Sequence, residues 1–343
     1  MPMLGHKFAF RGAALGLAAL LVGLSAGPAA ADPTPVKTIK QLTIYLAPLF
    51  VASVKGMDIA HGEKFQFVDI ASGGQIAPTL VSGEVEVTTC ILSTLGNLWA
   101  QGKHAQAFYL LLPHPTVDLV IRKAVADESG ISPTAPLAER IRVLKGRKFG
   151  ISQPNVPGDV YMRAMLRNSG LDPQRDVSIV RVGTIPGLFA AMRSGQIDGF
   201  MLSPPSPEEA EETGVGKIWI RLTTNEVPSL ANLPYMTFCA LDGYIKGHPA
   251  VVAGFVASVR EAIEWMHTNK DETIAIMEHA FPNVAADVWA KGYDAFLPIF
   301  SPTGRMTERD IADGFQVYHD MGALTGVPPS KEGTTWTDEF VKK

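Results

Sequence analysis

Cysteine is scarce in this chain of 343 residues, where only Cys90 and Cys239 occur. Two cysteines are too few for a disulfide scaffold or for a cysteine-rich structural zinc site. An exported protein permits one bridge, but each cysteine lies in an apolar run typical of a buried strand, where a free thiol is common. We therefore expect two buried free thiols, with a single disulfide as the alternative.

Motifs that mark common catalytic and phosphate-binding sites are also missing. The sequence contains no HExxH zinc motif, no GxxxxGK phosphate-binding loop and no CxxC redox pair. Without such a constellation there is no candidate nucleophile with its base, and no candidate metal ligand set. We therefore expect a protein that is not an enzyme and that needs no metal or other cofactor.

Positive charge is not in excess either. The chain has 30 lysines and arginines against 34 aspartates and glutamates, which gives a formal net charge of −4. Proteins that bind nucleic acid or a membrane surface carry a basic face, so this balance argues against both kinds of partner. Hydrophobic residues make up 46% of the chain, which suits a globular protein with a well-buried core.

One long apolar run is present, and it lies at the start of the chain. Lys7 and Arg11 precede the apolar stretch 13–26, and the small residues Ala29–Ala31 follow it. This order is typical of a secretory signal peptide over residues 1–31, cleaved before Asp32. No cysteine lies near the cleavage site, so the sequence predicts an exported protein without a lipid anchor.

One pattern occurs twice in the chain. Leu80–Val87 (LVSGEVEV) is followed much later by the similar Met192–Gly199 (MRSGQIDG). The glycine at the fourth position of each copy is placed to close a helix in the left-handed conformation, before a short buried strand. Two such units predict two similar α/β lobes, and a cleft between two lobes is typical of a protein that closes on a ligand.

Strand-like and helix-like segments alternate along the rest of the chain, which favours an α/β fold with mostly parallel sheets covered by helices. The first strand is expected within residues 40–46, where apolar and polar residues alternate. A polar stretch with two prolines, residues 124–140, is interpreted as a connection between lobes. From His248 onward the pattern predicts helices.

One of the two predicted lobes is made of two separate segments of the sequence, and the other of a single segment. At this length a second core is expected, because single cores stop growing at about 250–300 residues. We expect residues 32–123 and 224–343 to form lobe one and residues 124–223 to form lobe two. The hinge is then expected at the two crossings, near residue 123 and within residues 223–233.

Several segments resemble those of one protein family. Leu144–Ile151 (LKGRKFGI) is similar to the entry into its second lobe, and Val182–Pro186, Ser194–Phe200 and Ser203–Pro205 are similar to its central signature. The family comprises the solute-binding proteins of ABC importers of the nitrate/sulfonate/taurine type, with riboflavin- and pyrimidine-precursor-binding relatives. The resemblance implies a type II periplasmic binding protein fold with two Rossmann-like lobes and a cleft between them.

For this chain the resemblance implies a monomeric periplasmic protein that binds a small-molecule ligand and delivers it to an ABC permease with its ATPase. Two alternatives keep the fold: an enzyme acting on a pyrimidine-precursor-like molecule, or a sensory module that presents its ligand to a membrane kinase. A related pyrimidine-precursor synthase uses a cysteine cluster and an active-site histidine. This chain has no such cluster, since it holds only two cysteines.

The resemblance also implies that the ligand lies at the carboxyl ends of strands from both lobes, as expected for open α/β sheets. The candidate ligand-binding residues are Tyr45, Leu46, Ala47, Ser72, Gly73, Gly74, Gln75, Cys90, Ile91, His114, Gln153, Asn155, Val156, Gly158, Asp159, Thr184 and Ser203. These edges are mostly apolar and contain no lysine or arginine. We therefore expect a sulfonate, an organic acid or an aromatic or heterocyclic compound with one weakly anionic or polar end.

Several candidate features have a structural interpretation as well. The glycines of Ser72–Gln75 permit either backbone N–H contacts to an anion or only a tight turn. Asp159 is expected to cap a helix more than to contact the ligand. His114 lies either near the cleft or exposed in its loop. The acidic run Glu208–Glu212 is expected to form a solvated helix face.

Overall fold

Ten strands and fourteen α-helices occur in the computed structural model, which describes residues 32–231 and 233–342. The chain from Pro33 onward forms one compact unit, and the signal peptide predicted over residues 1–31 lies outside the described residues. The strands are β1 (Thr34–Lys40), β2 (Glu63–Asp69), β3 (Val87–Cys90), β4 (Ala105–Leu112), β5 (Asp118–Arg122), β6 (Lys148–Ile151), β7 (Ser178–Arg181), β8 (Gly199–Leu202), β9 (Gly216–Arg221) and β10 (Met236–Leu241). The α-helices are α1 (Ala47–Lys55), α2 (Met57–Ala60), α3 (Ile76–Ser82), α4 (Leu92–Ala100), α5 (Lys123–Ser129), α6 (Leu137–Arg142), α7 (Pro157–Asn168), α8 (Ile185–Arg193), α9 (Ser206–Glu212), α10 (Asp242–Gly247), α11 (Pro249–Met266), α12 (Lys270–Ala280), α13 (Ala286–Phe296) and α14 (Glu308–Asp320).

Two sheets form the first lobe. β1 pairs in parallel with β2, and β10 lies antiparallel between β3 and β4. The backbone N–H of Glu86 donates to the carbonyl of Lys37 at 2.9 Å, so β1 also lies beside the segment that enters β3. Helix α11 packs against α1 and β2, where the rings of Phe65 and Phe255 are 5.1 Å apart.

The second lobe contains one five-stranded sheet in the order β7-β6-β8-β5-β9. β6 is parallel to β7 and β8, whereas β5 is antiparallel to β8 and β9. The predicted α/β class is confirmed. The predicted mostly parallel sheets are wrong, because β5 and β10, the strands with which the chain enters each lobe from the other, run against their neighbours.

Both copies of the repeated pattern form the predicted unit. Gly83 follows α3 with a φ of 75°, and Gly195 lies just after α8 with a φ of 73°, so both are left-handed. A buried strand follows each, β3 in the first lobe and β8 in the second. Since a Cβ is strained at these angles, glycine is what lets the chain turn from helix to strand within a few residues.

The first strand lies earlier in the chain than the alternation within residues 40–46 indicates. β1 covers Thr34–Lys40, and Ile44–Leu46 forms a buried 3₁₀ turn that leads into α1. Pairing with β2 along the whole of β1 decides the position of the strand, and a short alternating run carries no information on its partner. The polar stretch 124–140 is also more than a connection, because it contains most of α5 and part of α6.

The expectation of two free thiols is wrong, because Cys90 and Cys239 form a disulfide. Cys90 ends β3 and Cys239 lies in the middle of β10, and the two strands are antiparallel neighbours with Thr237 opposite Cys90. The Cα atoms of the two cysteines are 5.9 Å apart, within the usual span of a bridge. The pairing depends on the return of β10 to the first lobe, which an apolar run in the sequence does not reveal.

The C-terminal part of the chain is helical from α11 to α14, as predicted from His248 onward, and the segment around Trp336 then lies along β4. The backbone N–H of Ala107 donates to the carbonyl of Thr335 at 2.9 Å, and that of Thr337 donates to the carbonyl of Ala107 at 2.8 Å. In the described part of the chain, no helix has both the length and the hydropathy needed to cross a membrane.

Candidate ligand-binding cleft

A cavity of about 400 Å³ opens between the two lobes. The first lobe contributes the segment Gln41–Thr43, Tyr45, and residues on the facing sides of α3 and α4. The second lobe contributes the loop between β6 and α7, the end of β8 and the start of α9. Tyr235 and Met236, where the chain has returned to the first lobe, complete the lining. The cavity therefore lies where the strands of both lobes end, as ligand sites of α/β sheets do.

The structure places a subset of the sequence-predicted site residues on this cavity: Tyr45, Gly73, Gly74, Ile91, Asn155, Val156, Gly158 and Ser203. The remaining predicted residues are not among those that line it: Leu46, Ala47, Ser72, Gln75, Cys90, His114, Gln153, Asp159 and Thr184. Sequence reasoning missed Thr89, Ser206 and Tyr235, which also line the cavity. Thr89 precedes Cys90 in a recognisable strand and could have been found from it, whereas Ser206 and Tyr235 reach the cavity only through the tertiary fold.

Two of the residues off the cavity stabilise helix starts. The side-chain oxygen of Gln75 accepts hydrogen bonds from the backbone N–H groups of Ala71 (2.8 Å) and Ser72 (3.2 Å), which fixes the turn before α3. The hydroxyl of Thr184 accepts the backbone N–H of Gly187 at 3.1 Å and caps α8. Both side chains satisfy backbone donors that a helix start otherwise leaves unpaired.

The other residues off the cavity lie in the core or in a loop. Leu46 and Ala47 are buried where the 3₁₀ turn meets α1, and Cys90 is held in its disulfide. His114 is half-buried after β4, with its Nδ1 atom 3.2 Å from the carbonyl oxygen of Pro115. Burial lowers the pKa of His114, which favours the neutral imidazole.

Asp159 lies in the first turn of α7 and stabilises the start of this helix through hydrogen bonds of its carboxylate. One carboxylate oxygen accepts the backbone N–H of Asn155 at 2.9 Å, and the other accepts the Nε–H of Arg163 at 2.6 Å. Val156, not Asp159, occupies the position before the helix. The end of α7 that faces the cavity therefore already holds an acidic side chain with its own guanidinium partner, where an anionic ligand would otherwise gain from the helix dipole.

The lobes contact each other beside the cavity. The backbone N–H of Ile44 donates to the carbonyl of Pro204 at 3.0 Å. Gly74 faces Gln153, and a Cβ on Gly74 would lie 2.5 Å from Cγ of Gln153 and 2.9 Å from its Cβ. Real Cβ atoms do not approach other atoms this closely, so the glycine permits the contact between lobes. Gly73 has ordinary space, since a Cβ there would come no closer than 3.6 Å to any side chain.

Buried hydroxyl groups cluster at the inner end of the cavity. The Tyr45 hydroxyl donates to the side-chain oxygen of Gln41 at 3.3 Å, and Tyr235, Thr89 and Ser206 are each almost completely buried. Burial raises the pKa of Tyr45 to about 12 and that of Tyr235 well above its usual value, so both phenols stay neutral at any physiological pH. The hydroxyl of Ser206 has no hydrogen-bond partner within the described residues.

The cavity is lined by neutral side chains. None of the described residues that line it is an aspartate, glutamate, lysine, arginine or histidine. Within residues 32–231 and 233–342 there is likewise no group of three or more histidine, cysteine, aspartate or glutamate side chains arranged to hold a metal ion. A strongly charged ligand would lose its hydration here without gaining a counter-charge, so the arrangement suits an uncharged polar group on an apolar body.

A buried acidic network lies near the crossings between the lobes. Asp118, at the start of β5, accepts the backbone N–H of Thr223, which follows β9, at 3.0 Å. Arg221 lies 3.4 Å from carboxylate oxygens of both Asp118 and Glu208. Burial raises the pKa of Asp118 to about 7. The prediction that the acidic run forms a solvated helix face is therefore wrong at Glu208. This side chain is buried because α9 packs on β9 beside Arg221.

Comparison with known families gives one extended match. The model described as the NMT1-like family matches residues 38–279, which is well over half of the chain. The matched segment includes both copies of the repeated pattern and every residue that lines the cavity.

One curated relative and two solved structures are similar to this chain at low sequence identity. The nitrate/nitrite binding protein NrtA of Nostoc sp. is 28% identical over 145 residues, which are 41% of this chain and 32% of that protein. The chain thus matches only about a third of that relative's length. A structure from Bordetella bronchiseptica RB50 has a TM-score of 0.73 at 22% identity and covers 91% of this chain and 96% of its own.

Another similar solved structure is that of a sulfonate-binding protein. The alkanesulfonate-binding protein SsuA of Xanthomonas axonopodis pv. citri, bound to MOPS, has a TM-score of 0.68 at 14% identity and covers 87% of this chain and 96% of its own. At these identities the structures show the fold, which is that of periplasmic binding proteins. The resemblance and the fold inferred from the sequence are confirmed.

Proposed function

Since the chain belongs to the NMT1-like family, we propose that it is the periplasmic ligand-binding component of an ABC importer. It binds a small organic ligand between its lobes as a monomer, and delivers that ligand to a membrane permease driven by an ATPase. The names of the Nostoc and Xanthomonas proteins, which bind nitrate or nitrite and alkanesulfonates, support this kind of function. The absence of zinc and redox motifs from the sequence supports a binder over an enzyme.

The observation that carries the proposal is a single cavity with walls from both lobes. A ligand held between Tyr45 and Thr89 on one side and Ser203 and Ser206 on the other contacts both lobes at once. Such a ligand stabilises the closed arrangement relative to an open one, because only the closed arrangement offers both sets of contacts. The permease can then recognise the closed, loaded protein.

The ligand itself carries little charge under this proposal. The lining is neutral, and Asp159 with Arg163 already occupies the helix start that would favour an anion. A nitrate ion or a bare sulfonate needs several charge-assisted hydrogen bonds to offset its desolvation. A heterocycle, an amide or another neutral molecule needs only a few hydrogen bonds and apolar contact.

We place the hinge at the two crossings between the sheets. The outgoing crossing ends at Asp118, which already lies in β5, and the returning crossing begins after Arg221 in β9. The hydrogen bond from Thr223 to Asp118 links the two crossings, so they would bend together.

A ligand screen by thermal unfolding tests the proposed function. The exported protein is heated with neutral amides and heterocycles, organic acids and sulfonates in turn. A ligand at 100 times its dissociation constant should stabilise the folded state by about 2.7 kcal/mol, which is readily seen. The compound that binds is then incubated with the protein and recovered. If the compound is recovered unchanged, the protein is a binding protein, whereas conversion of the compound would favour the enzyme alternative. If no compound of any class binds, the proposed receptor function is contradicted.

A further inference from the structure

We propose that the cleft takes an elongated, uncharged amphiphile, with a hydrogen-bonding head among the buried hydroxyls and an apolar tail between α3 and α4. The inference rests on the proposed function, since it names the class of ligand for the same cavity. It goes further by dividing the cavity into an inner polar end and an outer apolar arm.

The outer arm follows the length of one helix face. The residues of this face that line the cavity are Ile91, Thr94, Asn97, Leu98 and Gln101, whose spacing places them along one side of α4. The amide of Asn97 already donates to the carbonyl of Ala323 at 3.2 Å. An α-helix rises 1.5 Å per residue, so the cavity extends for about 15 Å along this helix. A compact ion such as nitrate would leave most of that length empty.

The facing wall of the arm is apolar and its far end is open. From α3, Ile76, Ala77 and Val81 line the same cavity, and each is half-buried. Pro78 on α3 and Gln101 beyond α4 are exposed at the outer limit of the lining. A hydrocarbon tail would lose water along this wall, and a longer tail would extend toward solvent without a steric stop.

The inner end supplies neutral hydrogen-bonding groups. Tyr45, Tyr235 and Ser206 have exposed fractions of 6%, 1% and 1%, and all three line the cavity. The Ser206 hydroxyl has no partner within the described chain, although an unpaired buried hydroxyl is costly. A ligand head that both donates and accepts hydrogen bonds would satisfy it, as a primary amide or a lactam does.

The nearest charged side chains do not alter this preference for a neutral head. Glu208 shares Arg221 with Asp118, and Asp159 is paired with Arg163. None of these side chains lines the cavity. A head with a full negative charge would therefore be desolvated, with no cationic side chain among the described residues that line the cavity.

A homologous series tests the two ends separately. The probes are straight-chain primary amides from propanamide to octanamide, and alkanesulfonates with the same tails, titrated into the full exported chain by calorimetry. The arm predicts that affinity for the amides rises about fourfold with each added methylene. The neutral head predicts that each amide binds more tightly than the sulfonate of equal length.

Two variants and one matched control test the apolar arm and the polar end of the cavity separately. Ala77→Phe should remove the gain from long tails, so that octanamide binds no more tightly than propanamide, because the added ring fills the arm. Ala100→Phe makes the same change at an exposed position on α4 outside the lining, and should keep the parent's length dependence. Ser206→Ala should weaken every amide by a similar factor of about two- to tenfold, regardless of tail length.

The outcomes separate this inference from the proposed function. Affinity that does not depend on tail length, or a length dependence untouched by Ala77→Phe in a folded variant, would overturn the arm. Sulfonates binding more tightly than amides would overturn the neutral head. If neither series binds while another compound from the thermal screen does, the amphiphile is wrong and the receptor function stands. If nothing in that screen binds, the proposed function fails first.

Discussion

Single residues decide how closely the lobes meet, and Gly74 is the sharpest case. Because a Cβ on Gly74 would overlap Gln153 of the other lobe, we expect Gly74→Ala to hold the lobes apart at this edge. Ligand affinity should fall tenfold or more, which is about 1.4 kcal/mol per tenfold. Gly73→Ala is the matched control, since its Cβ would meet Val156 at an ordinary 3.6 Å. Titration calorimetry on both variants measures the difference.

A second substitution shows whether the loss comes from the contact between lobes. Gln153→Gly in the Gly74→Ala background removes the overlapping atoms and should recover much of the affinity. The melting temperature of each unliganded variant should stay close to that of the parent, because the change concerns only the closed cleft. A folded Gly74→Ala protein with unchanged affinity would show that this edge stays open in the bound state.

At Glu63 a buried carboxyl makes stability depend on pH. Its side chain lies against Gly254 of α11, and Oε2 has no hydrogen-bond partner within the described residues. Burial, with Asp58 nearby, raises its pKa from 4.5 to about 8. Between these values the folded state keeps a proton that the unfolded state has lost, so this carboxyl makes the folded state less stable as pH rises from about 5 to 8.

Glu63→Gln should remove that dependence, because the amide has a similar shape and does not titrate. Melting temperatures recorded from pH 5 to pH 8 should show the variant gaining on the parent as pH rises. Glu84→Gln, at an exposed acid, serves as the comparison and should follow the parent. Parallel curves for Glu63→Gln and the parent would mean that the carboxyl is ionised in the folded state at neutral pH without cost.

Among the elements, β3 and β10 are joined most firmly, since the disulfide adds a covalent link to their hydrogen bonds. The two cysteines are 149 positions apart, so the bridge encloses the whole second lobe. Replacing both by alanine should lower the free energy of unfolding by about 2–4 kcal/mol, mainly by freeing the unfolded chain. Denaturant unfolding of the parent and the variant measures the change.

Thiol labelling gives an independent check on the bridge. The denatured protein should react with no maleimide until a reductant is added, and then with two. Two reactive thiols without reductant would show that the strands are held by hydrogen bonds alone. The cleft should bind its ligand in either redox state, because neither cysteine lines the cavity.

The whole molecule is expected to move as two bodies about the crossings next to Asp118 and Thr223. Ligand that bridges the cavity should shift the population toward the closed arrangement. Small-angle X-ray scattering with and without the compound found in the thermal screen should show a smaller radius of gyration for the loaded protein. An unchanged radius at saturating ligand would argue for a rigid cleft, and Gly74→Ala should then bind normally as well.

The sequence alone determined the features that depend on neighbouring residues. Left-handed glycines at positions 83 and 195, the helix-to-strand units around them and the helices after His248 follow from local conformational preference and periodicity. The strand ends just before Ile91 and Ser203 could also be read in order along the chain. They line the cavity because parallel strands of similar lobes end at the same edge.

Only the tertiary structure decided which distant segments meet. Tyr235 lines the cavity and Cys90 is bonded to Cys239 because β10 returns antiparallel to the first lobe. Ser206 lines the cavity because α9 packs on β9. Glu208 is buried for the same reason, although positions 209, 211 and 212 beside it are also glutamates. Such contacts are fixed by the packing of whole elements, and the local pattern of a segment does not contain its partner.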